Sequence, residues 1–199
     1  MRVVAGQYKG RRLAGPKGGV TRPTSDKVRE ALFSIVGPVD GLRVLDLFAG
    51  TGALGIEALS RGAAHVTFVE RDGRMRAVLR TNLNVVAGDA EERRAAVHGG
   101  DALDYLRRAA GAERFDLVLV DPPYADAERF ARPLAEALPG VLAAGAVVVA
   151  ECDRRTPLRI ESAVQDGAQS GFSLTGERRY GDTLLRILKA PTIGDPAAG

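Results

Sequence analysis

Asp121-Pro122-Pro123-Tyr124 closes the apolar run 115–120, and its residue types carry the most specific chemistry in this 199-residue chain. Two successive prolines fix φ and remove two backbone donors, so the corner presents carbonyls and a carboxylate. Asp121 and the Pro122 carbonyl are suited to accept both N–H groups of an exocyclic amine. Doing so draws the amine lone pair out of conjugation and aims it at an electrophilic carbon. Tyr124 would stack on an extruded base, contributing roughly 1–3 kcal/mol against a flipping cost of a few kcal/mol. Orientation of this kind can supply roughly 7–11 kcal/mol of a barrier. The simpler reading of the four residues is a proline-rich loop start.

A second constellation begins at Asp46. Residues 44–55 read Val-Leu-Asp-Leu-Phe-Ala-Gly-Thr-Gly-Ala-Leu-Gly, a buried strand running into Gly-x-Gly-x-x-Gly and then a helix. Gly50 and Gly52 permit a tight turn and close approach of a ligand to the backbone, while the following helix offers unpaired N–H groups. Glu70 lies 20 residues after Gly50 at the end of the next apolar run, where a carboxylate can accept the ribose hydroxyls of an adenosine cofactor. A dinucleotide would bring its pyrophosphate to the helix N-terminus, where Asp46 would repel it. S-adenosylmethionine has no phosphate and carries an ammonium and a sulfonium, so Asp46 beside the loop balances charge. Asp101, with Ala102 behind it, is placed to meet the adenine amino group and a ring nitrogen; it is equally a good helix N-cap, and both roles can coexist.

These residues need a scaffold that brings strand ends together. From residue 42 onward apolar runs alternate with amphipathic segments: 42–47 then 53–61, 66–70 then 72–86, 95–98 then 101–109, 115–121 then 127–138, and 147–151. Such alternation predicts a parallel sheet covered on both faces, with ligands beyond the carboxyl ends of its strands. Residues 172–179 and 183–188, joined at Tyr180-Gly181-Asp182, predict an antiparallel hairpin. Upstream, 2–5 and 10–14 around Gly6-Gln7-Tyr8-Lys9 suit another hairpin, and Val28, Ala31, Leu32, Ile35 and Val36 share one helical face that Thr24, Ser25 or Asp26 can cap. The organisation expected is a basic N-terminal extension over 1–24, an α/β domain over 25–189 and a frayed tail over 190–199.

Composition narrows the classes. At 45% hydrophobic and 27% charged residues the chain fits one globular core. The longest apolar stretch, 141–150, is far short of the roughly 18 residues a membrane span needs. Residues 2–9 contain no secretory h-region, and a lone cysteine, Cys152, excludes internal disulfides and cysteine zinc sites; cytoplasmic location is the expectation. His65 and His98 have no ligand-like spacing, so no metal is expected. Residues 1–29 hold eight cations against Asp26 alone, a net +7, leaving −4 on the rest of a +3 chain. That asymmetry is the footprint of polyanion binding, with Lys9, Arg11, Arg12 and Arg22 the candidate phosphate contacts; a solvated tail is the plain alternative.

The glycine loop with Asp46, Phe48, Gly50 and Gly52, together with Glu70, Asp101 and the Asp121–Tyr124 corner, resembles the Rossmann-like S-adenosylmethionine-dependent methyltransferases that act on exocyclic amines. Arg2-Val3-Val4-Ala5-Gly6, Lys9-Gly10-Arg11-Arg12-Leu13, the block from Arg22-Pro23-Thr24 to Phe33, and Tyr180-Gly181-Asp182-Thr183 resemble the RsmD family. The resemblance covers residues 2–188. It implies a seven-stranded, mostly parallel sheet with an antiparallel last strand, a small N-terminal extension that contacts RNA, and methylation of guanine N2 in small-subunit (16S) ribosomal RNA; separately, a monomer is the expectation. It further implies that Asp46, Phe48, Gly50 and Gly52 cradle the methionine part of S-adenosylmethionine, that Glu70 holds the ribose and Asp101 with Ala102 the adenine, and that Asp121 to Tyr124 hold the guanine. Arg22 and Thr24 would lie near the mouth of the site. Competing readings are adenine-N6 methylation of DNA, for which this short chain lacks an evident recognition domain, and a non-catalytic RNA-binding or assembly factor, which would not require the intact corner.

Overall fold

The computed structural model describes residues 1–15, 25–88, 93–123, 127–165, 168–169 and 171–190. Helix α1 (Asp26–Val36) starts where the Ser25 hydroxyl accepts the Val28 N–H and stops at Gly37. Then follow β1 (Arg43–Leu47), α2 (Ala53–Ser60), β2 (His65–Glu70), α3 (Gly73–Ala87), β3 (Ala95–Gly99), α4 (Ala102–Ala109), β4 (Phe115–Val120), α5 (Ala127–Ala137), a 3-10 turn (Leu138–Val141) and β5 (Leu142–Asp153). A two-residue ladder of β6 (Val164–Gln165) and β7 (Ala168–Gln169) precedes β8 (Ser173–Tyr180) and β9 (Thr183–Lys189).

Seven strands form one Rossmann-like sheet in the order β3-β2-β1-β4-β5-β9-β8. Strand β9 is inserted between β5 and β8 and is antiparallel to both, as the resemblance implied. The expected strand at 147–151 is longer, because Leu142 pairs with Phe115 ahead of a register shift. Alternation along each strand divides the core in two. Leu45, Val118, Val148 and Leu188 pack under α4 and α5. Val44, Phe68, Leu119, Val149 and Leu185 pack under α1, α2 and α3.

The N-terminal segment folds back on itself. Its two arms pair around the Arg2–Arg12 bridge, where Val3 N–H donates to the Arg11 carbonyl, Leu13 N–H to the Met1 carbonyl and Gly10 N–H to the Val3 carbonyl, and further groups of the segment bond to helices. The Val4 and Ala5 N–H groups donate to the buried Glu57 carboxylate, at 2.7 and 2.9 Å. Gln7 N–H donates to the Ser60 carbonyl and Tyr8 N–H to the Ser60 hydroxyl. Val3 and Leu13 join the core beneath. This cover explains why α2 is buried from Leu54 to Ser60, all the way round. A Cβ at Gly6 would stand 1.9 Å from the Ser60 carbonyl oxygen, so only glycine fits that contact.

Candidate functional site

Parallel register sets the site. Leu47 pairs with Val69 and with Val120, Glu70 with Gly99, and Val120 with Ala150. One residue further on, Gly99, Glu70, Phe48, Asp121 and Glu151 therefore form a row along the carboxyl edge, neighbours about 4.8 Å apart. The amine corner and the glycine loop are thus on adjacent strands. Asp121 is half-buried, Pro122 buried and Pro123 exposed. Tyr124 and Arg22, with Thr24, lie outside the described residues, as do residues 16–21 and 191–199.

The loop after β1 is a chain of left-handed residues: Phe48 at φ 62°, Gly50 at 56° and Gly52 at 82°. Phe48, a non-glycine held there, sets its ring edge-on to Phe130 with centroids 5.0 Å apart. A Cβ on Gly50 would meet nothing closer than the Phe48 carbonyl oxygen at 3.9 Å, so that face of the loop is open to a ligand. Gly52 and Gly55 are closed: added Cβ atoms would lie 2.0 Å from Leu79 and 2.3 Å from the Phe68 ring. The first glycine makes room for a ligand, and the other two let helices and sheet approach.

Glu70 binds the loop directly. One carboxylate oxygen accepts the Gly50 N–H at 2.8 Å and the other accepts the Asp72 N–H at 2.7 Å. A loop N–H that a pyrophosphate would need is already committed to a carboxylate. Arg76, which sequence reasoning missed, braces this turn by donating to the carbonyls of Glu70 and Arg71. Asp101 caps α4, accepting from Leu103 N–H at 2.8 Å and Asp104 N–H at 3.3 Å, with Ala102 buried behind it. Gly100 N–H donates to the Glu70 carbonyl, which joins the two carboxylate-bearing turns.

Asp46 is turned beneath the loop, where its carboxylate accepts the Gly55 N–H at 2.9 Å. Burial pushes its pKa up to about 7; the hydrogen bond opposes the shift and the charge of Glu70 adds to it. It fastens β1 to the first turn of α2, and burial disfavours the negative charge expected of it beside the loop.

Asn82 is a second residue that sequence reasoning missed. Its side-chain amide donates to the Thr51 carbonyl at 2.9 Å and to the Ala14 carbonyl at 3.1 Å, and accepts the Ala14 N–H at 2.7 Å. An asparagine in register with Met75, Leu79 and Val86 on the inner stripe of α3 is the signal that could have exposed it.

The three described candidate RNA cations, Lys9, Arg11 and Arg12, are exposed. Arg11 donates to the Val86 carbonyl near the end of α3 and stacks on Tyr8, so it also secures the hairpin. Lys9 sits on the turn held by Ser60. Below Ser60 the chain reaches Ala64, whose N–H donates to the Leu42 carbonyl just before β1. The hairpin turn is therefore at the amino edge of the sheet, away from Asp121. Arg2, by contrast, approaches the N-terminus of α1, where buried Arg29 donates to the Arg2 carbonyl and pairs with Asp26 at 2.6 Å.

Residues 1–189 match the family model described as Conserved hypothetical protein 95. The Bacillus subtilis protein YlbH is 42% identical over 191 residues, 95% of this chain and 98% of its own. Ribosomal RNA small subunit methyltransferase D of Escherichia coli K12 is 34% identical over 203 residues, covering 100% of this chain and 94% of that protein. The solved structure of yhhF from Escherichia coli superposes with a TM-score of 0.75 at 32% identity, covering 96% of this chain and 98% of that one.

Proposed function

Since the chain belongs to the RsmD-like family described as Conserved hypothetical protein 95, we propose that it methylates the exocyclic N2 amine of a guanine in small-subunit ribosomal RNA, using S-adenosylmethionine. The relatives' names support ribosomal RNA methylation as the class of reaction. The observation that carries the finer reading is the row in which Asp121 and its two prolines stand one strand from the open face of Gly50.

The residues at the edge fit the cofactor. The open Gly50 face admits a ligand, Glu70 and Asp101 offer carboxylates for ribose and adenine, and the Glu70–Gly50 bond disfavours a phosphate. Asp46 lies beneath the loop as a buried carboxyl whose pKa is raised to about 7, so it carries its full negative charge only above neutral pH. When bound, S-adenosylmethionine supplies an electrophilic methyl group on a sulfonium.

Asp121 and the Pro122 carbonyl accept the two N2 hydrogens, which holds the amine nitrogen pyramidal with its lone pair toward the loop. Such fixed acceptors act without reorganisation at the moment of reaction. Asp121 stands where positive charge develops on nitrogen. Tyr124 stacks on the guanine, and the hairpin cations lie along the RNA backbone. The test separates orientation from cofactor binding: Asp121→Ala is expected to lower methyl transfer roughly 10²–10⁴-fold while S-adenosylmethionine affinity by calorimetry stays within about twofold. Loss of both together would assign Asp121 to the cofactor site and remove the amine-orienting role.

A further inference from the structure

The Tyr180-Gly181-Asp182-Thr183 turn is a motif of the sequence, wholly within the described residues, that the site above does not use. Register continues the row across the sheet: Glu151 pairs with Leu185 and Leu185 with Arg178. Arg178 therefore stands three strand spacings from Asp121, about 14 Å, on the same carboxyl edge. Past the row, Asp153 pairs with Thr183 and Thr183 with Tyr180, so the exit of β5 and the β8–β9 turn rise together above the rim. The two are locked: Arg154 N–H donates to the Asp182 carbonyl at 2.9 Å, and the Arg154 side chain lies 3.5 Å from the Asp182 carboxylate. Arg155 N–H is fixed by the Asp153 carboxylate at 2.8 Å.

Arg154 and Arg155 at the β5 exit and Arg178 and Arg179 in the last residues of β8 are all exposed. Arg154 faces Asp182 and Arg179 faces Glu177 at 3.6 Å, but Arg155 and Arg178 form no salt bridge with a described residue. By strand alternation Arg178 shares a face with Tyr180, whose ring packs against the α1 side of the core. Rigid cations beside an aromatic at the mouth of a site form the combination that tracks a single-stranded polynucleotide. The hairpin turn bearing Lys9 is at the opposite edge, past the eight-residue α2, a helix about 12 Å long.

We propose that the β5 exit and the β8–β9 turn form a second RNA-contact surface, with Arg155 and Arg178 holding phosphates that flank the extruded base and Tyr180 beside them. This inference rests on the RNA methylation reading above. Charge counted along the sequence concealed it, because Glu161 and Glu177 offset these arginines in the tally, yet Glu161 binds the buried Arg186 and Glu177 is shared between Arg186 and Arg179, which leaves Arg155 and Arg178 without an acidic partner among the described residues.

The test compares the wild-type protein with Arg155→Glu/Arg178→Glu and, as the milder variant, Arg155→Gln/Arg178→Gln. The probes are small-subunit ribosomal RNA and isolated small subunits, with binding measured as a function of salt. The glutamate pair is expected to weaken binding at least tenfold and to reduce the salt slope by about 1.4, two single-stranded contacts at about 0.7 each. The glutamine pair should move both quantities the same way. S-adenosylmethionine affinity and Tm should stay at wild-type values. Unchanged RNA affinity and slope in both variants, with wild-type binding and methylation intact, would overturn the second surface and leave the proposed reaction standing. A wild-type protein that neither binds nor methylates either RNA probe would overturn the reaction and this surface with it.

Discussion

The Asn82 side chain donates to the Thr51 carbonyl at 2.9 Å, so one amide of α3 ties the glycine loop to the N-terminal segment it also holds at Ala14. The loop conformation and the seating of the first fourteen residues are therefore coupled. Asn82→Leu removes these bonds and leaves the Ala14 and Thr51 backbone groups without that partner. The expected cost is about 2–4 kcal/mol in denaturant unfolding. S-adenosylmethionine affinity should fall in the same variant, and wild-type affinity would show that the loop holds its shape without the amide.

Two glycines of one motif should behave differently. Gly55→Ala drives a Cβ to 2.3 Å from the Phe68 ring, an overpacking cost of about 1–3 kcal/mol that exceeds the roughly 1 kcal/mol gained in helix propensity. Gly50→Ala meets no close atom and carries only the strain of φ 56°, about 1–2 kcal/mol. Unfolding curves and calorimetry together should show Gly55→Ala as chiefly a stability defect and Gly50→Ala as chiefly a loss of cofactor affinity.

Asp46 gives the fold a pH dependence. Its folded pKa, about 7, exceeds the unfolded value of 3.8 because burial penalises the charge, so the folded state binds the proton more tightly. The stabilisation linked to that proton is complete below pH 4 and is lost as pH rises to 7. Asp46→Asn keeps an acceptor for the Gly55 N–H and removes the titration. Its unfolding free energy relative to wild type should therefore rise between pH 4 and 7; a constant difference across that range would place the titration elsewhere.

Removing residues 1–14 uncovers Glu57 and Ser60 and takes Val3 and Leu13 out of the core. Each large apolar side chain lost from a core costs about 2–4 kcal/mol, so the truncated protein should melt well below the full chain. A truncated protein with wild-type Tm would make the segment a detachable arm.

The parallel strands, the 172–188 hairpin and the glycine loop were legible because local periodicity and spacing encode them, while the antiparallel place of the last strand in the sheet came only with the family resemblance: 44–55 is a strand, a turn and a helix within twelve residues, and Glu70 follows at a fixed distance. Long-range satisfaction of polar groups was not legible. Glu57 looks like an ordinary helix residue until Val4 and Ala5 donate to it across more than fifty positions, and Asn82 looks like a weak helix former until Ala14 and Thr51 arrive. The N-terminal hairpin was legible and its arms do pair, but that its outward-facing backbone groups bond to α2 and α3 was not. Arg154 and Asp182 are adjacent only because β9 enters the sheet beside β5, a strand order that no local pattern states.

Delivery of a methyl group from this edge to a guanine amine of small-subunit ribosomal RNA can be read on the product itself. The most direct measurement incubates the protein with S-adenosylmethionine labelled in the methyl group and, in parallel, naked ribosomal RNA, immature small subunits or duplex DNA, then digests the product and identifies the labelled nucleoside. N2-methylguanosine is expected from the RNA or the subunits, with no label in DNA. N6-methyladenine from DNA, or no labelled nucleoside in any sample despite cofactor binding, would contradict that reaction.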